Sequence, residues 1–200
     1  MSQSRIFFQN PERSRSHSQA QQSNDTQNAL NFLKKAEENE HLNETTYTHA
    51  LNVIARSHNP DVAVAVKLFN DAKKRNFADN ITYNTVLNVI AKSRKPNIEL
   101  AQNIFHEAKK NRCVNEITYN IMLDIIAHSR NPDVALAESL LEEAKHLDLI
   151  DEIPYSNMIK VLAYSFTPDV ERAIELYKES IDYGCLTSLV FNNVLNVIAR

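Results

Sequence analysis

Cysteine and histidine are the side chains best suited to nucleophilic, redox or metal chemistry, and the chain has two of the first and seven of the second. Cys113 and Cys185 hold the same place in a recurring pattern whose other copies put Phe77 and Leu149 there. That position asks for a small-to-medium hydrophobe, a role free cysteine fills. Stacked units should hold the two thiols beyond the roughly 7 Å reach of a disulfide. No Cys-x-x-Cys or His-x-x-x-His spacing accompanies them, so a metal site is not expected. His17, His41, His49, His58, His106, His128 and His146 are scattered. A Gly-rich phosphate loop, a nucleophile elbow and the spaced acids of a two-metal nuclease are all missing from the sequence. The expectation is a protein that is not an enzyme and needs no cofactor.

What remains is charge and amide chemistry. The net charge is −3 and the isoelectric point about 6.2, which carries no global signal for nucleic acid. The charge is unevenly distributed. Segments 44–58, 80–94, 116–130, 152–166 and 188–200 contain Arg56, Lys92, Arg94, Arg130, Lys160 and Arg200 against Glu44, Glu116, Asp124 and Glu152. Segment 131–151 carries six acids against Lys145, and 167–187 five against Arg172 and Lys178. Those acids read as solvated outer helix faces. Asn52, Asn88 and Asn196 share a register with Asp124 and Lys160 and suggest a polar concave surface suited to a nucleic acid or to a protein.

The elements that would position these groups follow from a period. Tyr47, Tyr83, Tyr119 and Tyr155 stand 36 residues apart, Phe191 takes the next place, and Pro60, Pro96, Pro132 and Pro168 keep the same step. Self-similarity at such a period marks a repeat array. Units run 44–79, 80–115, 116–151 and 152–187, with a partial unit 188–200 and a half unit 25–43 that would cap the N-terminal end. In the second unit Tyr83, Val86, Leu87, Ile90 and Ala91 give one helical face, and Ala101, Ile104, Phe105 and Ala108 another. Proline in the connecting turn fits the first turn of the second helix, with Asn59, Asn131 or Thr167 before it as cap. One glycine in the chain argues against tight β-turn architectures. Residues 1–24, rich in Ser and Gln with a mildly basic balance, read as a disordered polar tail or an organelle transit peptide. No run is long enough for a membrane span.

At Ile81-Thr82-Tyr83-Asn84-Thr85-Val86-Leu87 and Ile117-Thr118-Tyr119-Asn120-Ile121-Met122-Leu123, and at Ala101-Gln102-Asn103-Ile104-Phe105 in the second helix, the chain resembles the pentatricopeptide repeat family. The resemblance covers about 44 to 200. The unit departs from that family in being 36 rather than 35 residues long and in having Arg75 to Asp79 where a Gly-Pro loop is usual. The resemblance implies an all-α fold, a right-handed α-solenoid of stacked antiparallel helix pairs. It also implies single-stranded RNA binding at about one base per repeat.

The residues it assigns follow. Base selection would fall to Thr48 with Asp79, Asn84 with Asn115, Asn120 with Asp151, and Ser156 with Thr187, while Asn192 opens an unfinished pair. By the family's code the order reads G, then C or U, then U. Ile81, Ile117, Ile153 and Leu189, with Thr45 in the first unit, would sandwich bases. The alternative is that these apolar residues are core between units. Arg56, Lys92 and His128 near the ends of first helices, with Arg94 and Arg130 two places on, would face phosphate and make affinity salt-sensitive. The expected partner is single-stranded RNA, with a protein partner in a helical scaffold as the alternative and end-to-end self-association as a further possibility. The expected setting is intracellular, in cytoplasm or an organelle.

Overall fold

The computed structural model describes the backbone of residues 11–185 and 187–200, and side chains from residue 24 onward except at 152 and 186. Among those residues there are ten α-helices and no strand. They are α1 (Pro11–Glu38), α2 (Glu44–Ala55), α3 (Val62–Lys74), α4 (Asn80–Ala91), α5 (Ile98–Lys110), α6 (Glu116–Ala127), α7 (Val134–His146), α8 (Glu152–Tyr164), α9 (Val170–Asp182) and α10 (Ser188–Ile198). Consecutive helices pack against each other, so the coarse expectation of an all-helical stack of pairs holds.

Two layers result. The even-numbered helices stack side by side, α2 on α4, α4 on α6, α6 on α8 and α8 on α10. Each of α3, α5, α7 and α9 lies between two neighbours of that layer. Burial follows from this arrangement. Eight of the twelve residues of α4 are buried, because neighbours cover it on several sides. Only four of the thirteen in α5 are buried, the single apolar stripe of a surface helix. Ala65, Ala101, Ala137 and Ala173 are wholly buried, and their small size lets the layers approach closely.

The helix starts differ from expectation at the proline turns. Asp61, Asn97, Asp133 and Asp169, each directly after its proline, are the N-caps, and their side chains accept from the amides of Val64, Leu100, Leu136 and Arg172 at 3.1, 3.0, 3.0 and 2.9 Å. Asn59, Asn131 and Thr167 therefore do not cap, and the prolines lie outside the helix. Asp61, Asn97, Asp133 and Asp169 are in extended backbone, from which a short carboxylate or amide can reach the third amide of the turn.

The second helices end on a residue in the left-handed region: Asn76, Arg112, Asp148 and Gly184 have φ of 60, 57, 57 and 70°. Phe77 then donates its backbone N–H to the Ala72 carbonyl at 2.8 Å and Asn76 to Lys73 at 3.1 Å. The same 6→1 closure joins Cys113 to Ala108, Leu149 to Ala144 and Cys185 to Ser180. These are Schellman caps. They explain why the place shared by Phe77, Cys113, Leu149 and Cys185 is apolar, since each packs against the core. Among the described residues neither cysteine forms a disulfide.

The N-terminal boundary also moves. Helix α1 begins at Pro11, so residues 11–24 are helical rather than tail, and residues 1–10 lie outside the described residues. Proline is suited to the first helical position, and 11–24 contains no glycine and no β-branched residue to oppose continuation of the buried part. Ala29, Leu33 and Ala36 anchor α1 in the core.

At the other end Phe191, Leu195 and Ile198 are 47, 47 and 54 % exposed. Tyr155, Ile159 and Leu162, their counterparts in α8, are 0, 0 and 1 % exposed. Equal side chains therefore carry unequal weight. Leu123→Ala, at a fully buried site, is expected to cost about 2–5 kcal/mol in urea unfolding. Leu195→Ala should cost less than about 1 kcal/mol. Replacing Arg112 by glycine, which relieves a left-handed non-glycine residue, should raise stability by roughly 0.5–1 kcal/mol in the same assay.

Candidate functional site

Asp79, Asn115, Asp151 and Thr187 are the N-caps of α4, α6, α8 and α10. The Asp79 carboxylate accepts from the Thr82 amide at 2.8 Å and the Thr82 hydroxyl at 2.7 Å. Asn115 Oδ1 accepts from the Thr118 amide at 3.2 Å, while the Asn115 amide donates to the Thr118 hydroxyl at 3.0 Å. Asn43 with Thr46, Asp79 with Thr82 and Asn115 with Thr118 are thus reciprocal capping boxes. In α8 Pro154 replaces the threonine, and Asp151 accepts from the Ile153 amide at 2.9 Å instead. The threonines before Tyr47, Tyr83 and Tyr119 therefore have a helix-starting role that their resemblance to a family motif does not convey. Its signal was Asn or Asp three residues before Thr.

Two of the four expected pairs are joined. Asn84 Nδ2 donates to Asn115 Oδ1 at 3.0 Å, and Asn120 Nδ2 to Asp151 at 3.5 Å. The other two are not. Thr48 shares a hydrogen bond with Thr82 at 3.2 Å rather than with Asp79. The Ser156 hydroxyl accepts from Asn193 Nδ2 at 2.9 Å, and Ser156 is completely buried. Asn84 and Asn120 are 9 and 8 % exposed, whereas Asn192 is open to solvent. Asn84 Oδ1 is taken by the Thr118 hydroxyl at 2.7 Å. Asn120 Oδ1 is buried with no hydrogen-bond partner, a state that costs about 1–3 kcal/mol unless something donates to it.

Ile81, Ile117, Ile153 and Leu189 are 55, 49, 40 and 47 % exposed. They are the second residues of α4, α6, α8 and α10 and lie at the surface, not in a core between helices. One helical turn beyond each come Asn84, Asn120, Ser156 and Asn192, on the same face by the three-residue step. At the far ends of α2, α4 and α6, Arg56, Lys92 and His128 are the C-caps, all exposed and well placed at the negative helix ends. Arg94 and Arg130 follow in the turns and are also exposed. Arg56, Lys92, Arg94 and Arg130 form no ion pair among the described residues. His128 Nδ1 lies 3.2 Å from Asp124, and Lys160 3.9 Å from the same carboxylate. Arg200 stacks on Tyr164 at 4.3 Å.

The outer helices contrast with this. Lys73 pairs with Glu107 at 2.7 Å, Lys109 with Glu143, Lys145 with Glu179, and Arg172 holds Glu138 by two bonds of 2.9 Å. Each pair joins one outer helix to the next. Lys73, Lys109 and Lys145 also lie over the rings of Phe69, Phe105 and Tyr155 at 4.6, 5.6 and 5.7 Å. Glu138, Glu143 and Glu179 are therefore paired and about two-thirds covered, a correction to the expectation of solvated acids. The Asp71 carboxylate accepts from the Tyr47 hydroxyl, and Glu107 from Tyr83 at 3.0 Å.

No family model, curated protein or solved structure matches the chain. Among the described residues there is no group of three or more His, Cys, Asp and Glu placed to hold a metal ion, and no helix long and apolar enough to cross a membrane.

Burial raises the phenol pKa of Tyr47, Tyr83, Tyr119 and Tyr155, and the carboxylates of Asp71, Glu107, Glu143 and Glu179 respectively push it the same way. Tyr83 and Tyr155 move from 10.0 to about 12. A proton held more tightly in the folded chain stabilises it below pH 10, and that stability is lost as pH rises toward 12. Tyrosinate absorbance should show these phenols ionising late and together with unfolding. In Tyr83→Phe the alkaline unfolding limb should move to higher pH.

Proposed function

We propose that the chain is a right-handed α-solenoid of 36-residue, pentatricopeptide-like repeats that binds single-stranded RNA along its first-helix layer and acts without catalysis. The observation that supports this most is the row of half-exposed apolar side chains, Ile81, Ile117, Ile153 and Leu189. Nothing in the packing of the stack calls for these residues at the surface. Flat apolar faces spaced along one edge are what successive bases need for sequence-tolerant stacking. The free cations Arg56, Lys92, Arg94 and Arg130 on the opposite edge of the same layer offer a track for the phosphate backbone.

Base choice then falls unequally on the repeats. In the Asn120 and Asp151 pair Asn120 Oδ1 is buried, and the second carboxylate oxygen of Asp151, used by neither the Ile153 nor the Asn120 bond, is the acceptor offered to a base N–H. The Asn84 and Asn115 pair keeps one amide proton of Asn84 and the side-chain amide of Asn115 uncommitted. Ser156 is closed by Asn193, so its repeat reads weakly or not at all. Selectivity is expected over two neighbouring bases, with the remaining repeats contributing affinity.

Titration of the full chain with short oligomers containing GCU or GUU, and with scrambled controls, tests this reading. Ile117→Ser should weaken every oligomer by roughly five- to tenfold, as expected for losing one stacking face worth about 1 kcal/mol. Asn120→Ala should instead flatten the preference at a single position. Equal affinity for all sequences, unchanged by either substitution, would remove RNA reading. A protein partner captured through the same face and unaffected by ribonuclease would establish the scaffold reading.

A further inference from the structure

One shallow pocket on the rim is lined by Arg94, Lys95, Pro96, His128 and Arg130. It lies between the turn that follows α4 and the turn that follows α6, so it exists only because those two helices stack. Arg94, Lys95 and Arg130 form no ion pair among the described residues. Elsewhere the chain neutralises its interhelical cations carefully: Lys73, Lys109, Lys145 and Arg172 each meet a glutamate of a neighbouring helix. Along the unpaired rim, the cavity is where three such cations, Arg94, Lys95 and Arg130, converge.

The capping residues accentuate it. The caps of α3, α7 and α9 are Asp61, Asp133 and Asp169, but that of α5, beside the pocket, is the neutral Asn97. Asparagine caps as well as aspartate and leaves the positive helix end unscreened. Asp133 is the acid nearest to Arg130 along the chain, and its carboxylate is held by the Leu136 amide at 3.0 Å. Asp124 engages His128 and Lys160. The other proline turns have no comparable set: His58 is the single basic side chain of 57–61, and 165–169 contains none.

We infer that this notch is a binding site for one phosphate group, held by Arg94 and Arg130 from adjacent turns with Lys95 between them. Two guanidiniums from separate turns can each present paired N–H donors to phosphate oxygens. The source of the phosphate is either an internal phosphodiester of a strand crossing the rim or a terminal monoester. The site does not require the RNA reading above, since the cavity and its charge are present without a strand.

The test uses the full chain and inorganic pyrophosphate, followed by amide NMR. Shifts should saturate and be confined to residues near 92–97 and 128–133. The double variant Arg94→Ala/Arg130→Ala should lose at least about tenfold in affinity, since each arginine supplies charge-assisted bonds. Lys110→Ala/Arg112→Ala, which removes exposed cations from an outer helix end, should leave binding unchanged. Shifts spread over all basic residues, or equal affinity in both variants, would overturn the site. Two RNA arms locate the source. An internal phosphodiester predicts that 5′-phosphorylated and 5′-hydroxyl oligomers lose equally in the double variant, with a salt slope smaller by about 1–2. A terminal monoester predicts that only the phosphorylated oligomer loses affinity. Pyrophosphate binding without RNA binding would retain the notch and remove the proposed function; RNA binding without saturable pyrophosphate shifts at the notch would do the reverse.

Discussion

The carboxylate on each outer helix is the junction on which the stack depends. Glu107 accepts the hydroxyl of Tyr83 on the inner helix of its own pair and the ammonium of Lys73 on the preceding outer helix. Glu143 and Glu179 receive Lys109 and Lys145, while the Tyr119 and Tyr155 hydroxyls are buried without a hydrogen-bond partner. A buried phenol and a half-covered ammonium are both costly alone, and Glu107 offsets both costs. The rings beneath complete the joint. Phe69 meets Tyr83 and Phe105 meets Tyr119 edge-on at 4.9 and 5.3 Å, the preferred geometry for aromatic pairs. The outer helices have no close backbone packing on one another, so these long side chains are what tie them together.

This joint has an electrostatic consequence. It consumes Glu107, Glu138, Glu143 and Glu179 of the outer layer in pairs with outer-layer cations. The inner layer is left with Arg56, Lys92, Arg94, Lys95 and Arg130 uncompensated on one edge. A chain with net charge −3 thus presents one basic rim. Net charge describes solubility and long-range steering; a binding edge is decided by which charges are already paired.

Under the proposed function, capping and recognition compete in the inner layer. The residues assigned to base reading, Asn115 and Asp151, are also the residues that start α6 and α8. A cap carboxamide has two functional ends, and the helix needs only its oxygen. Asn115 therefore keeps a donor, and Asp151 keeps an oxygen. Thr187 has only one hydroxyl, which accepts from the Val190 amide at 3.4 Å. Variation in the capping residue sets how much chemistry each position retains for a ligand.

The sequence alone determined the helical character of the chain, its pairing into units and which face of each helix is apolar, because periodic burial writes itself into residue spacing. Tyr83, Ala101 and Phe105 were legible as core for that reason. Several features were decided only by the tertiary structure. Ile81 and Ile117 are as apolar as Ile90 and Ile126, yet the former are half exposed and the latter wholly buried; only the neighbouring helices settle which is which. Glu143 reads as a surface acid until Lys109 arrives from another helix. Asn84 and Ser156 occupy the same place in their units, but Asn193 engages the second whereas Asn115 and Thr118 engage the first. Local spacing fixes what a helix will bury, whereas contacts between residues 34 or 37 apart decide which polar groups remain available, and no single segment contains that information.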